Sequence, residues 1–137
     1  MSGEQSSRFI AIVDDDKSVQ TALQDLIESE GLSTLCFDSA EQFLDSGAQR
    51  KPACLIADVR MPGMSGIELQ AKLKADRCRI PIIFITAHGD AKMRIQAMRD
   101  GAVEFLTKPF DNGVLLETVH TAVEDYAKEL GLWDSNR

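Results

Sequence analysis

Leu55-Ile56-Ala57-Asp58-Val59-Arg60-Met61-Pro62-Gly63 runs from an apolar segment into a single carboxylate, and the Pro-Gly pair turns the chain away at once. A short apolar run bounded by turn residues reads as a strand buried on both faces. The same punctuation recurs along the chain. Ile10-Ala11-Ile12-Val13 runs into Asp14-Asp15-Asp16, Phe84-Ile85 into Thr86, and Phe105-Leu106-Thr107 into Lys108-Pro109. Four hydrophobic strands each end in a residue able to handle a phosphoryl group or a metal. Polar groups gathered at strand ends, and not inside the strands, point to a site along one edge of a parallel sheet.

Working outward, strands and helices alternate five times. Strands are predicted at Phe9–Val13, Leu32–Phe37, Ala53–Ala57, Pro81–Thr86 and Val103–Leu106. The first helix is predicted over Lys17–Glu30, with Val19, Leu23, Leu26 and Ile27 on one face and Gly31 as its stop. Ser39-Ala40-Glu41-Gln42 and Ser65-Gly66-Ile67-Glu68 read as capping boxes opening the second helix (to near Gly47) and the third (to about Ala75). Asp90 is the expected cap of a fourth helix ending near Asp100-Gly101. Asp111 opens the last, with Leu115, Val119, Ala122 and Tyr126 at helical spacing. This alternation gives an α/β fold, a doubly wound five-stranded parallel sheet with helices on both faces. The first, third and fourth strands are almost continuously apolar and so belong in the centre. The second and fifth carry polar residues and read as edges, which fits the order 2-1-3-4-5. In that order the Asp14–Asp16 cluster and Asp58 face each other where the strand order reverses.

The 137 residues suit one domain, here 9–130, with 1–8 as a flexible N-terminal tail and 131–137 as a C-terminal tail or the start of a linker. No apolar run approaches the length needed to span a bilayer, and Met1–Arg8 lacks the apolar centre of a signal peptide, so a cytoplasmic chain is expected. A net charge of −7 disfavours direct nucleic-acid binding. Three cysteines without a CxxC spacing argue against a disulfide framework or a zinc site, and Cys54 reads as a small core residue.

Each polar strand end has an ordinary reading when taken alone. Asp15 or Asp16 can cap the first helix, Thr86 can be a plain β-branched strand residue, and Lys108 a surface cation. Asp16 is read as a helix cap first. Together the residues ask for more. Crowded carboxylates raise one another's pKa unless something neutralises them. Magnesium, a hard cation needing only one or two carboxylates, does so. With Thr86 and Lys108 added, the set points to phosphoryl transfer onto Asp58, giving an acyl phosphate whose oxygens are met by a cation, an ammonium and a hydroxyl. Ala87 is small and leaves the phosphorus open to approach.

Val13-Asp14-Asp15, Asp58 with Met61-Pro62-Gly63, Thr86-Ala87 and Lys108-Pro109-Phe110, in that order and spacing, resemble the receiver domain of bacterial two-component response regulators. Arg60 to Gly66, Thr86 to Asp90 and Gly101 to Leu106 look closest to the FixJ-type subgroup. The resemblance covers about Phe9 to Leu130. It implies a flavodoxin-like (βα)5 fold and a phosphoacceptor domain that takes a phosphoryl group onto Asp58 from a sensor histidine kinase. Such a domain is not an enzyme beyond catalysing its own phosphorylation and dephosphorylation.

The resemblance further implies that Asp15, Asp58 and the main-chain carbonyl of Arg60 bind Mg2+ directly, with Asp14 acting through a water. Lys108 would contact Asp58 or the phosphoryl group across a cis Lys108–Pro109 bond. Thr86 and Phe105 match the family's switch pair, although a buried core phenylalanine is an equally good reading of Phe105. By the same resemblance, Arg60 and His88 would occupy positions that influence how fast phosphate is lost. His120 and Trp133 are expected on the surface of the last helix and in the polar tail.

The FixJ-type resemblance implies output through the face of the fourth helix, fifth strand and fifth helix, with phosphorylation-dependent homodimerisation there. The thin apolar stripe Ala91, Ile95 and Met98 marks a loosely held fourth helix. FixJ-type regulators control transcription through a further DNA-binding domain that this chain does not show. A stand-alone receiver, acting as a relay shuttle or interaction switch, is the alternative. Two remote rivals are an aspartyl-phosphate phosphatase, which needs DxDxT after the first strand, and an FMN carrier, whose phosphate loop an acidic cluster would repel.

Overall fold

The computed structural model describes residues 9–87 and 91–131; the expected terminal tails, the Asp90 cap, His88 and Trp133 lie outside the described residues. Five strands, β1 (Phe9–Val13), β2 (Ser33–Phe37), β3 (Cys54–Asp58), β4 (Ile82–Thr86) and β5 (Glu104–Thr107), form one sheet in the order β2-β1-β3-β4-β5. All pairings are parallel. The helices are α1 (Lys17–Glu28), α2 (Ala40–Asp45), α3 (Gly66–Ala75), α4 (Ala91–Arg99) and α5 (Asn112–Glu129). Among the described residues no helix is long and apolar enough to cross a membrane.

The period-2 alternation of the strands sorts the core into two layers. Ala11, Val13, Leu55, Ala57 and Phe84 face α2, α3 and α4 through Phe43, Leu69, Leu73 and Ala97. Ile10, Ile12, Ile56, Ile83 and Ile85 face α1 and α5 through Leu23, Ile27, Leu115 and Val119. Each fully buried Ile, Leu or Phe contributes about 1.5–3 kcal/mol, so these two layers supply the free energy that tolerates polar groups at the strand ends. Cys54 lies wholly within the second layer, where burial pushes its thiol up to about 12.

Local sequence explains most boundaries. Asp16 caps α1 by accepting from the Ser18 and Val19 amides, and Asp111 caps α5 by accepting from Val114. The Ser65–Glu68 capping box forms in full. The one expected at Ser39 is half made. Ser39 Oγ accepts from Gln42 N, but Gln42 Oε1 takes the Asp38 amide at 2.6 Å in place of the Ser39 amide. Asp58 is the last residue of β3, paired with Ile85, so the strand runs one residue past its predicted end at Ala57. In α4, Ala97 alone is buried, while Ile95 is 55% and Met98 36% exposed. The stripe read from sequence therefore faces outward.

One glycine bears directly on the site. Gly66, the first residue of α3, is buried, and its amide donates to Val59 O at 2.8 Å. A Cβ there would overlap the main-chain carbonyl oxygen of Asp58 and stand 3.0 Å from Val59 Cα. Neither atom belongs to a flexible side chain. Gly66→Ala is therefore expected to destabilise the fold by about 1–3 kcal/mol, read as a lower urea midpoint at unchanged m-value.

Candidate functional site

Val13 pairs with Ala57, so Asp14 and Asp58 emerge side by side from β1 and β3. The connections then diverge, α1 to one face of the sheet and α3 to the other. That divergence opens a crevice at the strand ends. Asp14 is 1% exposed and Asp58 7% exposed. Each carboxylate is held at both oxygens. Asp14 Oδ1 accepts from Asp16 N at 2.9 Å, and Asp58 Oδ1 from Arg60 N at 3.0 Å. Lys108 Nζ bridges the remaining two oxygens, at 3.3 Å from Asp14 Oδ2 and 3.0 Å from Asp58 Oδ2. The lysine is placed by its own backbone, whose amide donates to Thr86 O at 2.8 Å across the β4–β5 edge. Its peptide bond to Pro109 is cis, as expected.

Burial raises the Asp14 carboxyl above its usual value and the Asp58 charge adds to the rise; the Asp16 amide and Lys108 oppose it. For Lys108, burial works to lower the ammonium, but the hydrogen bond to Asp58 and the two carboxylate charges outweigh it and the value is raised. Asp14, Asp15 and Asp58 each bring one carboxylate oxygen to within 4.8 Å of the others. Opposite ligands of an octahedral magnesium ion stand about 4.2 Å apart and the ion keeps several waters, so hard oxygen donors gathered to this spread suit such an ion, directly or through a water. When all ionise, three carboxylates against one ammonium leave two negative charges, which a divalent cation balances.

Thr86, 1% exposed, ends β4 beside this cluster, and Ala87 after it is exposed. Phe105 is 2% exposed, and its ring centroid lies 6.2 Å from that of Phe84. The ring therefore faces inward. The Arg60 side chain is exposed, and His120 is exposed with Nε2 3.1 Å from Glu30 Oε1. The structure thus gathers Asp14, Asp15, Asp58 and Lys108 into one cluster, with Thr86 at the neighbouring strand end and Phe105 behind it.

Two supporting residues escaped the sequence reading. Gln20 is buried on α1, and its Nε2 donates to Asp14 O at 2.6 Å and Asp38 Oδ1 at 2.8 Å, tying the ends of β1 and β2. Its position three residues before Leu23, on the apolar face of α1, was the available signal. Glu41 on α2 accepts the Met64 amide at 2.8 Å and braces the loop after Asp58. Nothing in the sequence pairs these two residues.

The same network makes a pH prediction. Lys17 Nζ lies 2.7 Å from Asp38, and the hydrogen bonds from Lys17 and Gln20 hold the Asp38 carboxyl below the usual 3.8. A carboxyl whose pKa is lowered by folding stabilises the fold above its unfolded value and loses that contribution as pH falls through the folded value. Asp38→Asn should therefore narrow the gap in melting temperature between neutral pH and about pH 3, as measured by thermal denaturation.

Comparison with known proteins agrees with this geometry. Residues 10–120 match the family of response regulator receiver domains. The response regulator protein TmoT of Ectopseudomonas mendocina is 49% identical over 115 residues, 84% of this chain and 52% of that protein. The transcriptional regulatory protein FixJ of Bradyrhizobium diazoefficiens is 40% identical over 114 residues, covering 83% of this chain and 56% of that one. The chain thus spans about half the length of the curated relatives it matches. Among solved structures, FixJ-N superimposes with a TM-score of 0.77 at 39% identity, covering 85% of this chain and 94% of that one. The response regulator StyR gives 0.84 at 44%, covering 90% and 63%.

Proposed function

Because this chain belongs to the receiver domain family of two-component response regulators, we propose that Asp58 is its phosphoacceptor and that a sensor histidine kinase is the donor. The observation that carries the reading is the single ammonium of Lys108 joining the Asp14 and Asp58 carboxylates in the switch-point crevice, with Asp15 alongside. An Asp58 oxygen attacks phosphorus, an acyl phosphate forms, and the bond from phosphorus to the donor's imidazole nitrogen breaks. Lys108 and the Thr86 hydroxyl then face the transferred oxygens. Asp15, Asp58 and the Arg60 carbonyl would hold Mg2+, with Asp14 acting through a water; the ion supplies positive charge to the transferring group. Incubation with Mg2+ and acetyl phosphate, followed by mass spectrometry of intact protein and peptides, tests the reading. One phosphoryl group per chain on the Asp58 peptide is expected, and an unlabelled protein or a label elsewhere overturns it.

The output we propose is a change in the face made by α4, β5 and α5, leading to homodimerisation and, in a longer protein like the transcriptional regulators it matches, to control of transcription. The exposed Ile95, Met98 and Val114 on α4 and α5 support this. Sedimentation should show a larger mass with a phosphoryl mimic than without it; an unchanged mass removes the dimer.

A further inference from the structure

α4 is poorly anchored by apolar contact. Ala97 is its one buried residue and Met93 is half-buried, whereas Arg94, Ile95 and Met98 are exposed. Polar ties do much of the remaining work. At its C-terminal end the Ala97 carbonyl accepts from Gln70 Nε2 and from Ala102 N, both at 3.0 Å. At its middle, Arg94 Nη1 donates to the Phe105 carbonyl at 2.9 Å, and Arg94 Nη2 stands 3.7 Å from Glu104 Oε2. Both acceptors belong to β5, an edge strand that β4 pairs on one side only.

The identity of that carbonyl gives the tie its interest. It belongs to the residue whose ring is packed inward against Phe84, in the cluster that also contains Ala97 and Met93. Ala97 and Met93 thus bring α4 into the same apolar cluster as the Phe105 ring, and Arg94 links that helix to the Phe105 backbone. We propose that Arg94 is a positioning residue: by clasping β5 it keeps α4 docked and the Phe105 ring inward, and so favours the arrangement that accepts the phosphoryl group. This rests on the receiver reading given above. A residue that stabilises one of two states raises the fraction of competent molecules, and a reaction through that state scales with the fraction. The guanidinium suits the task because its fork reaches two acceptors at once, which a lysine cannot reproduce. Its side chain is 52% exposed, so the effect belongs at the low end for coupled sites, about fivefold.

The full chain and its Arg94→Ala, Arg94→Lys and Glu104→Gln variants test this by three measurements: segment-resolved hydrogen exchange, the initial rate of phosphorylation by acetyl phosphate with Mg2+, and calorimetric titration with Mg2+ alone. In Arg94→Ala, exchange is expected to speed up in α4 and β5 but not in β1 or β3, and the rate to fall about fivefold with Mg2+ affinity unchanged. Arg94→Lys should lie between this variant and the wild type. Glu104→Gln, which leaves the carbonyl bond in place and weakens only the 3.7 Å ion pair, should lie closer to the wild type than Arg94→Lys does. Wild-type rate and α4 exchange in Arg94→Ala overturn the proposal. So does a faster exchange spread over the whole sheet, or a loss of Mg2+ affinity, since either makes Arg94 a general structural support. If the wild type takes up no phosphate, the receiver reading fails, and the exchange measurement alone decides whether Arg94 holds α4.

Discussion

Asp58→Asn will carry no phosphoryl group after treatment with Mg2+ and acetyl phosphate under conditions that label the wild type once per chain. The substitution preserves size and shape and keeps an oxygen for the Arg60 amide, which now donates to Asp58 Oδ1 at 3.0 Å. What it removes is the anionic oxygen facing Lys108 at 3.0 Å. An amide nitrogen in that place is not a nucleophile toward phosphorus, and it would point its own hydrogens at an ammonium. Lys108 retains Asp14, so the fold should persist and the readout stays clean. Intact-protein mass spectrometry decides the matter: equal labelling of both proteins removes Asp58 from the role.

Lys108→Met is expected to slow phosphorylation by about 10²–10³, the loss seen when one preorganised donor to a developing anion is removed. The thioether matches the length of the lysine stem but leaves Asp14 and Asp58, 1% and 10% exposed at the side chain, without the cation that joins them. Removing one partner of a fully buried pair costs about 3–5 kcal/mol; Lys108 is a fifth exposed, so about 2 kcal/mol is expected here. The loss depends on pH in a definite direction. Asp14 already has a raised carboxyl, and Lys108 is among the groups opposing the rise. An acid whose pKa is raised by folding makes stability fall as pH climbs from its unfolded value through its folded value. Without Lys108 the rise is larger. Urea unfolding should therefore show a greater deficit at about pH 7 than at about pH 5, and added Mg2+ should reduce it. A deficit independent of pH would count against the charge argument.

Much of this architecture was legible because the sheet is buried on both faces. Continuous apolar runs at Ile10–Val13, Cys54–Ala57 and Ile82–Ile85 have nowhere to go but the centre, and a polar residue ending each run has nowhere to go but the rim. Polar substitution in Ser33-Thr34-Leu35 and at Glu104 marked the edges for the same reason. The acid cluster and Lys108 were legible through their positions at those ends. α4 was legible as a weakly anchored helix from its thin apolar stripe, but spacing alone does not say that Ile95 and Met98 face outward while Ala97 is the residue that is buried. Gln20 and Glu41 were missed because each holds a backbone group that any sequence carries, the Asp14 carbonyl or the Met64 amide, and because Asp38, the side-chain partner of Gln20, lies 18 residues away. Tertiary placement alone decides which backbone groups need a partner.

The alignment of Val13 with Ala57 has a further meaning for how this chain can diverge. Successive side chains along a strand alternate between faces, so a one-residue slip reverses every side chain it carries. A deletion within Ile10–Val13 or Leu55–Ala57 would send one acid of the pair to the wrong side, even if every hydrophobic contact were repaired. Length changes belong instead at the opposite rim, in the turns near Gly31, Gly47 and Gly101, whose surroundings leave space within 4 Å although their positive φ values favour glycine itself. Relatives that keep the reactive rim should differ in loop length there, and constancy of spacing from Asp14 back into β1 becomes a stricter signature of shared chemistry than identity at any single core position.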